Sequence, residues 1–177
     1  MKVRKILADK TAKFTISMLL VLLLAFIFYK AFPSITVFLI MALISGVISY
    51  FISLARFPID ISPTFLFMII LALKYGFGYS AAFIVITSTL PALIAGGELG
   101  LSTFLFMGMF LILGLASTLI SGYSVVAIGI GATVLNLIAA WFINLSEDNP
   151  GGFIFSIIHA AITVFYFVTL GPYLIAI

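Results

Sequence analysis

The strongest constraint on this chain is the placement of its charges. Every Asp, Glu, Lys and Arg lies in the amino-terminal tail, in a break between apolar segments, or at the end of a segment. Seven apolar segments follow from this: roughly Phe14–Tyr29, Ser34–Leu54, Ser62–Tyr75, Ser80–Ala95, Ser102–Ser121, Ser124–Asn144 and Phe153–Leu174. A charge in mid-bilayer costs several kcal/mol, so this spacing is what membrane-crossing helices require. Composition agrees: 65% of the 177 residues are hydrophobic and 7% charged, against about 25% charged in a soluble domain. A soluble fold would have nothing to cover its exterior, whereas lipid tolerates an apolar outside. The length allows six or seven spans of about 20 residues. Ile, Val and Phe at consecutive positions do not follow the alternation of a membrane β-barrel. The sequence therefore predicts an all-α integral membrane protein: a basic tail over 1–13, then one helical membrane domain over 14–177 with core helices over about 34–174.

The breaks carry turn chemistry: Phe32-Pro33-Ser34, Arg56 to Pro63, Gly76-Phe77-Gly78, Gly96 to Gly100, Ser121-Gly122 and Ser146 to Gly152. Ser62-Pro63 predicts a helix start, with Ser as N-cap and Pro at the first helical position. Gly96 to Gly100 lacks the Lys-Ser/Thr of a phosphate loop and follows no strand, so it reads as a turn. Glu147-Asp148-Asn149-Pro150 lacks the spaced partners of a calcium loop and reads as a solvated turn.

Five of the eight basic residues are Lys2, Arg4, Lys5, Lys10 and Lys13. Beside an apolar segment, this cluster reads as a topology signal near anionic lipid, and no nucleic-acid partner is expected. Two topologies follow. If the first segment crosses, a tail inside puts Arg56 inside and Lys30 and Lys74 outside. If it does not cross, the tail, Lys30 and Lys74 are inside and, of the basic residues named, only Arg56 is outside, together with Asp60, Glu98, Glu147 and Asp148. The charge rule favours the second topology slightly, and the apolarity of Met18–Phe28 favours crossing.

Cysteine is absent, which excludes disulfides, thiolate-held zinc, iron–sulfur clusters and c-type haem. His159 is the only histidine. No Ser/His/Asp set, paired carboxylate site or metal cluster is visible, so the chain reads as no enzyme, with neither cofactor nor metal. Helical spacing puts Gly129, Thr133, Asn136, Ala140 and Asn144 on one face of the sixth segment. The same spacing puts Ser156, His159, Thr163 and Tyr166 on one face of the seventh. Polar groups in a bilayer face each other, a cavity or water, so these faces are predicted to meet, with Asn136 and His159 at similar depth. Either they satisfy one another or they line a ligand pocket. On the second segment, Ala42, Ser45, Gly46, Ser49 and Ser53 form a small-residue stripe where another helix, from this chain or a partner, can approach.

Phe57-Pro58-Ile59-Asp60-Ile61-Ser62-Pro63, then an apolar helix, then Lys74-Tyr75-Gly76-Phe77-Gly78-Tyr79-Ser80-Ala81-Ala82 resembles the substrate-binding S components of energy-coupling-factor vitamin transporters. The likeness is one of pattern and hydropathy and covers about residues 42–121. Leu90 to Leu101 also resembles the MreD rod-shape family, which is built on a similar six-helix plan. The S-component resemblance implies a six-helix core in segments two to seven, with the first segment an addition. It implies that Ala42, Ser45, Gly46 and Ser49 contact a transmembrane coupling subunit. A ligand on the extracellular side would then be held by the region of Arg56 to Asp60, by Glu98, and by the faces carrying Asn136, His159 and Thr163. The leading expectation is a substrate-capturing transport subunit in the cell membrane that depends on separate ATPase subunits. The alternative is an MreD-like scaffold or accessory subunit of a larger membrane complex, solidly packed and without a cavity.

Overall fold

A computed structural model describes residues 28, 30–55, 57, 59–96, 99–146 and 149–176. The basic tail, nearly all of the first segment, Arg56, Glu98, Glu147 and Asp148 lie outside the described residues. The chain divides into two compact units, Met1–Leu39 and Ile40–Ile177. Helix α1 (Pro33–Ala55) begins in the first and continues into the second. The remaining helices belong to the second: α2 (Thr64–Tyr75), α3 (Phe77–Ile94), α4 (Leu101–Leu119), α5 (Val125–Ser146), α6 (Pro150–Thr169) and α7 (Gly171–Ala176). Among the described residues there is no strand. Five helices, α1, α3, α4, α5 and α6, are long and apolar enough to cross a membrane. Large apolar side chains stand outward on them, among them Leu43, Ile94, Leu119 and Phe142. The chain is an all-α multi-pass membrane protein.

The core is organised around the shortest of the apolar segments. Helix α2 has 12 residues, and Thr64 through Ala72 are all buried. At about 1.5 Å per residue it is about 18 Å long, too short for a hydrocarbon layer of about 30 Å. It packs chiefly on α3 and α4 and also touches α5, α6 and α7. Phe65 meets Phe110 of α4 with ring centroids 5.2 Å apart and Phe167 of α6 edge-on at 6.2 Å. The closest helix pair is α5 with α6. A Cβ at Gly129 would overlap the ring of Phe167, and one at Gly152 would overlap the amide of Asn144. These two glycines let the helices approach.

Four helix boundaries differ from the sequence-based expectation, one being the start of α6 at Pro150 rather than Phe153, with Asn149 as its N-cap. Helix α2 begins one residue later than predicted: Pro63, not Ser62, is its N-cap, and the Pro63 carbonyl accepts the first helical bond from Phe67 N–H at 2.9 Å. The Ser62 hydroxyl is spent on Thr64 Oγ1, 2.8 Å away. The break after α2 is Gly76 alone, at φ +91°, a conformation glycine adopts without a Cβ penalty. Phe77 and Gly78 already belong to α3. The seventh segment divides at Leu170, because Pro172 has no N–H to continue the ladder. The short α7 lies against α2, α5 and α6, and its Ile175 carbonyl accepts from Lys74 Nζ at 3.2 Å, tying it to the end of α2.

Many hydroxyls in the long helices satisfy themselves. Thr87, Ser117, Thr133, Ser156 and Thr169 each donate to the carbonyl four residues back on their own helix. A serine or threonine in a span therefore needs no partner helix.

Candidate functional site

The site is built where α2 fails to span. A backbone that leaves its helix inside the membrane is tolerated only against protein or a cavity. The segment between α1 and α2 meets that condition. Asp60 Oδ1 accepts the Ser62 N–H at 2.8 Å and shapes the turn into α2. Two side chains of α6 clamp the same segment from the other side. Tyr166 donates its hydroxyl to the Ile61 carbonyl at 2.9 Å. His159 Nδ1 lies 2.7 Å from the Asp60 carbonyl oxygen. A carbonyl only accepts, so Nδ1 carries the proton, which leaves Nε2 toward the Thr163 hydroxyl 3.5 Å away. His159 and Tyr166 are two helical turns apart, which puts them on one face.

Beside this clamp lies a cavity of about 430 Å³, within the roughly 300–1,000 Å³ of small-molecule sites. Its wall takes Asp60 from the clamped segment, Ser88 from α3, and Thr103, Phe106 and Phe110 from α4. Asn136 and Asn144 of α5 and Asn149, Ser156 and His159 from the start of α6 complete it. The predicted polar face of α5 is buried along its length, at Gly129, Thr133, Asn136, Ala140 and Asn144. Across the helix pair, Asn144 Nδ2 donates to Ser156 Oγ at 3.1 Å, and Ser156 donates to the Gly152 carbonyl at 2.7 Å. Asn149 caps α6 by accepting the Gly152 N–H at 3.2 Å. Asn136 is the exception: it is 4% exposed, and its Oδ1 is buried without a hydrogen-bond partner. An unsatisfied buried acceptor costs about 1–3 kcal/mol.

A second cavity of about 220 Å³ lies toward α1, between Ser49, Ile52 and Ser53 on that helix and Thr87, Ser88 and Pro91 on α3. It shares Asp60, Ser88 and Phe110 with the first. Among the described residues no group of three or more His, Asp or Glu could hold a metal ion.

Comparison with family models, with curated proteins and with solved structures finds no match.

The structure brings Asp60, Asn136 and His159 onto one cavity, with Asn136 and His159 sharing the wall rather than a mutual hydrogen bond. Thr163 is buried behind His159 and off the wall. Glu98 lies outside the described residues. Sequence reasoning missed Ser88, Thr103 and Asn149. Two signals were present: three successive hydroxyls at Thr87-Ser88-Thr89 inside a span, and Asn149-Pro150, a helix-start pair.

The small-residue stripe on α1 divides. Ser45 is fully buried, and its Oγ has no hydrogen-bond partner. Ser49 faces the second cavity. Ala42 and Gly46 are half-buried. Among the described residues, no atom lies within 4 Å of where a Gly46 Cβ would stand. Within the described part of this chain, then, Gly46 is not a point of close helix approach. The close approaches occur at Gly129 and Gly152, where a flat ring or an amide lies against the glycine, and at Gly114, against Ser80 and Met68.

Proposed function

We propose that this chain captures a small molecule in the cavity between α4, α5, α6 and the segment before α2, and serves as a transport subunit without an ATPase of its own. The observation that carries this reading is the cavity itself: ligand-sized, walled by a carboxylate, an imidazole, amides and hydroxyls, and set among helices whose outer faces are apolar. The resemblance to S components supports it, because that resemblance independently assigned ligand contacts to the regions of Asp60, Asn136 and His159. The MreD-like scaffold expects solid packing, so the cavity counts against it. Charge gives the orientation we favour. Asp60 and Lys74 stand at opposite ends of α2, and Lys74 belongs on the cytoplasmic side by the positive-inside rule. The cavity then faces outward in the cell membrane. Transport would need a coupling subunit and ATPases as partners. No chemical transformation is assigned to the site.

The test is purification in mild detergent followed by mass spectrometry of released small molecules. A single compound in near-equal amount to protein is the expected result. No released compound, together with no rise in melting temperature across a vitamin panel, would sink the reading.

A further inference from the structure

The charge and hydrogen-bonding state of the cavity wall select among ligand classes. Among the described residues the only carboxylate lining it is Asp60, and no lysine or arginine lines it. Three neutral N–H or O–H groups on the wall are spent inside the protein, one of the two N–H groups of Asn144 among them, and the donors that remain, on Asn136, Asn149, Ser88 and Thr103, are neutral. Asn144 Nδ2 gives to Ser156, Ser156 gives to the Gly152 carbonyl, and His159 Nδ1 gives to the Asp60 carbonyl. Acceptors are left over. One oxygen of Asp60 takes the Ser62 N–H, and the other has no partner among the described hydrogen bonds. Asn136 Oδ1 is buried and unpartnered, and a half-turn of that amide about its last bond exchanges its oxygen and nitrogen at the wall. The apolar part of the wall is partly aromatic, from Phe106, Phe110 and Phe155, and partly aliphatic, from Met107, Leu137 and Ala140. An anion here would lose its water beside a carboxylate, with no fixed cation among the described residues to replace it. A cation gains the Asp60 carboxylate, and aromatic faces add to its attraction.

We propose that the cavity takes a small organic cation, an ammonium or amidinium on a flat apolar body, with its charged N–H groups toward Asp60 and Asn136 and its body against the phenylalanines. This rests on the capture reading and names the substrate class for that same site. The volume matches such a molecule: about 430 Å³ holds one or two ring systems with substituents.

Three probes of one shape and three charges test it: benzamidine, benzamide and benzoate, each titrated against the melting temperature of the purified full chain in detergent. Benzamidine should stabilise the protein most, benzamide less and benzoate not at all. Asp60→Asn should weaken benzamidine roughly tenfold or more, the loss of one charge-assisted hydrogen bond, while leaving benzamide binding nearly unchanged. If Asp60→Asn does not fold, Asn136→Ala serves in its place and should weaken both benzamidine and benzamide. Equal shifts from benzamidine and benzamide would mean another group already neutralises the carboxylate, and would overturn the proposal. Strongest binding by benzoate would overturn it too, with capture itself left standing. No shift from any of the three, with no compound released on purification, would overturn both the proposal and the capture reading.

Discussion

Helices α1 and α2 are built from the same apolar alphabet and meet opposite fates. In α1, only Met41 and Ser45 of 23 residues are buried. In α2, nine of 12 are buried. Apolarity cannot be the cause, since both helices carry long runs of Ile, Leu and Phe. Length decides. Helix α1 is about 35 Å long, enough to cross the hydrocarbon, so lipid accepts its sides and water its ends. Helix α2 is about 18 Å long and leaves at least one end short of the surface. That end carries free N–H groups and an irregular backbone, which lipid refuses and protein or a cavity must receive. Helices α3 to α7 close round α2, and the cavity opens at its entry. A short span thus creates both the core and the site.

Truncating one apolar side chain in each helix breaks or sharpens this contrast most directly. Ile69 in α2 is fully buried, whereas Leu43 in α1 is 67% exposed. Ile69→Ala should destabilise the protein by about 2–5 kcal/mol through lost contacts and a cavity. Leu43→Ala should cost about 0.5 kcal/mol or less, because lipid fills the space. Denaturation in mixed micelles measures both. Equal losses would mean that α1 packs against protein along that face, and the length argument would fail.

Glycines give the next largest effect. A Cβ on Gly114 of α4 would come within 2.7 Å of Ser80 Oγ and 3.2 Å of Met68 Sδ, the latter on α2. Gly114→Leu should therefore force helices away from the core, at about 1–3 kcal/mol or more. A Cβ on Gly46 of α1 meets no described atom within 4 Å, so Gly46→Leu should leave the melting temperature of the isolated chain nearly unchanged. If Gly46→Leu lowers it as much as Gly114→Leu does, α1 has a close neighbour within the chain. If it spares stability but prevents assembly with other subunits, the stripe of Ala42, Ser45, Gly46 and Ser49 is a docking face.

The contrast also marks what could be read from sequence. Helices α1, α4 and α5 fall within two residues of their predicted ends, because charge and turn residues bound them sharply. The buried face of α5 followed from spacing alone, since Asn136 and Asn144 cannot both face lipid. The cavity wall was legible where a side chain had no local way to satisfy itself, at Asn136 and His159, whereas Asp60 came from the family resemblance. It was illegible at Ser88 and Thr103, because hydroxyls that can bond their own helix carry no directional signal. The centrality of α2 was available in its length but not in its pattern, since it is apolar all round. The clamp on the segment before α2 could not be foreseen. It pairs α6 side chains with backbone carbonyls about a hundred residues away, and carbonyls have no sequence identity.

That clamp supplies the smallest and most local test. Tyr166→Phe removes one hydroxyl, keeps the ring, and deletes the bond to the Ile61 carbonyl. A typical hydrogen bond is worth about 0.5–1.5 kcal/mol net, so the global melting temperature should fall only slightly. The effect should concentrate where the bond was. With one anchor gone, the segment before α2 still holds through His159 and the Asp60 carbonyl, and it should open locally more often. Amide exchange at Ser62, whose N–H is fixed on Asp60 Oδ1, should speed up roughly twofold to tenfold, in line with that free energy. Amides in the middle of α1 should not change, because that helix is held by its own ladder and by lipid. Exchange that quickens equally in both places would mean that Tyr166 supports the whole bundle. Exchange that quickens in neither would mean that the segment is held by its packing on α2, and that the α6 side chains merely touch it.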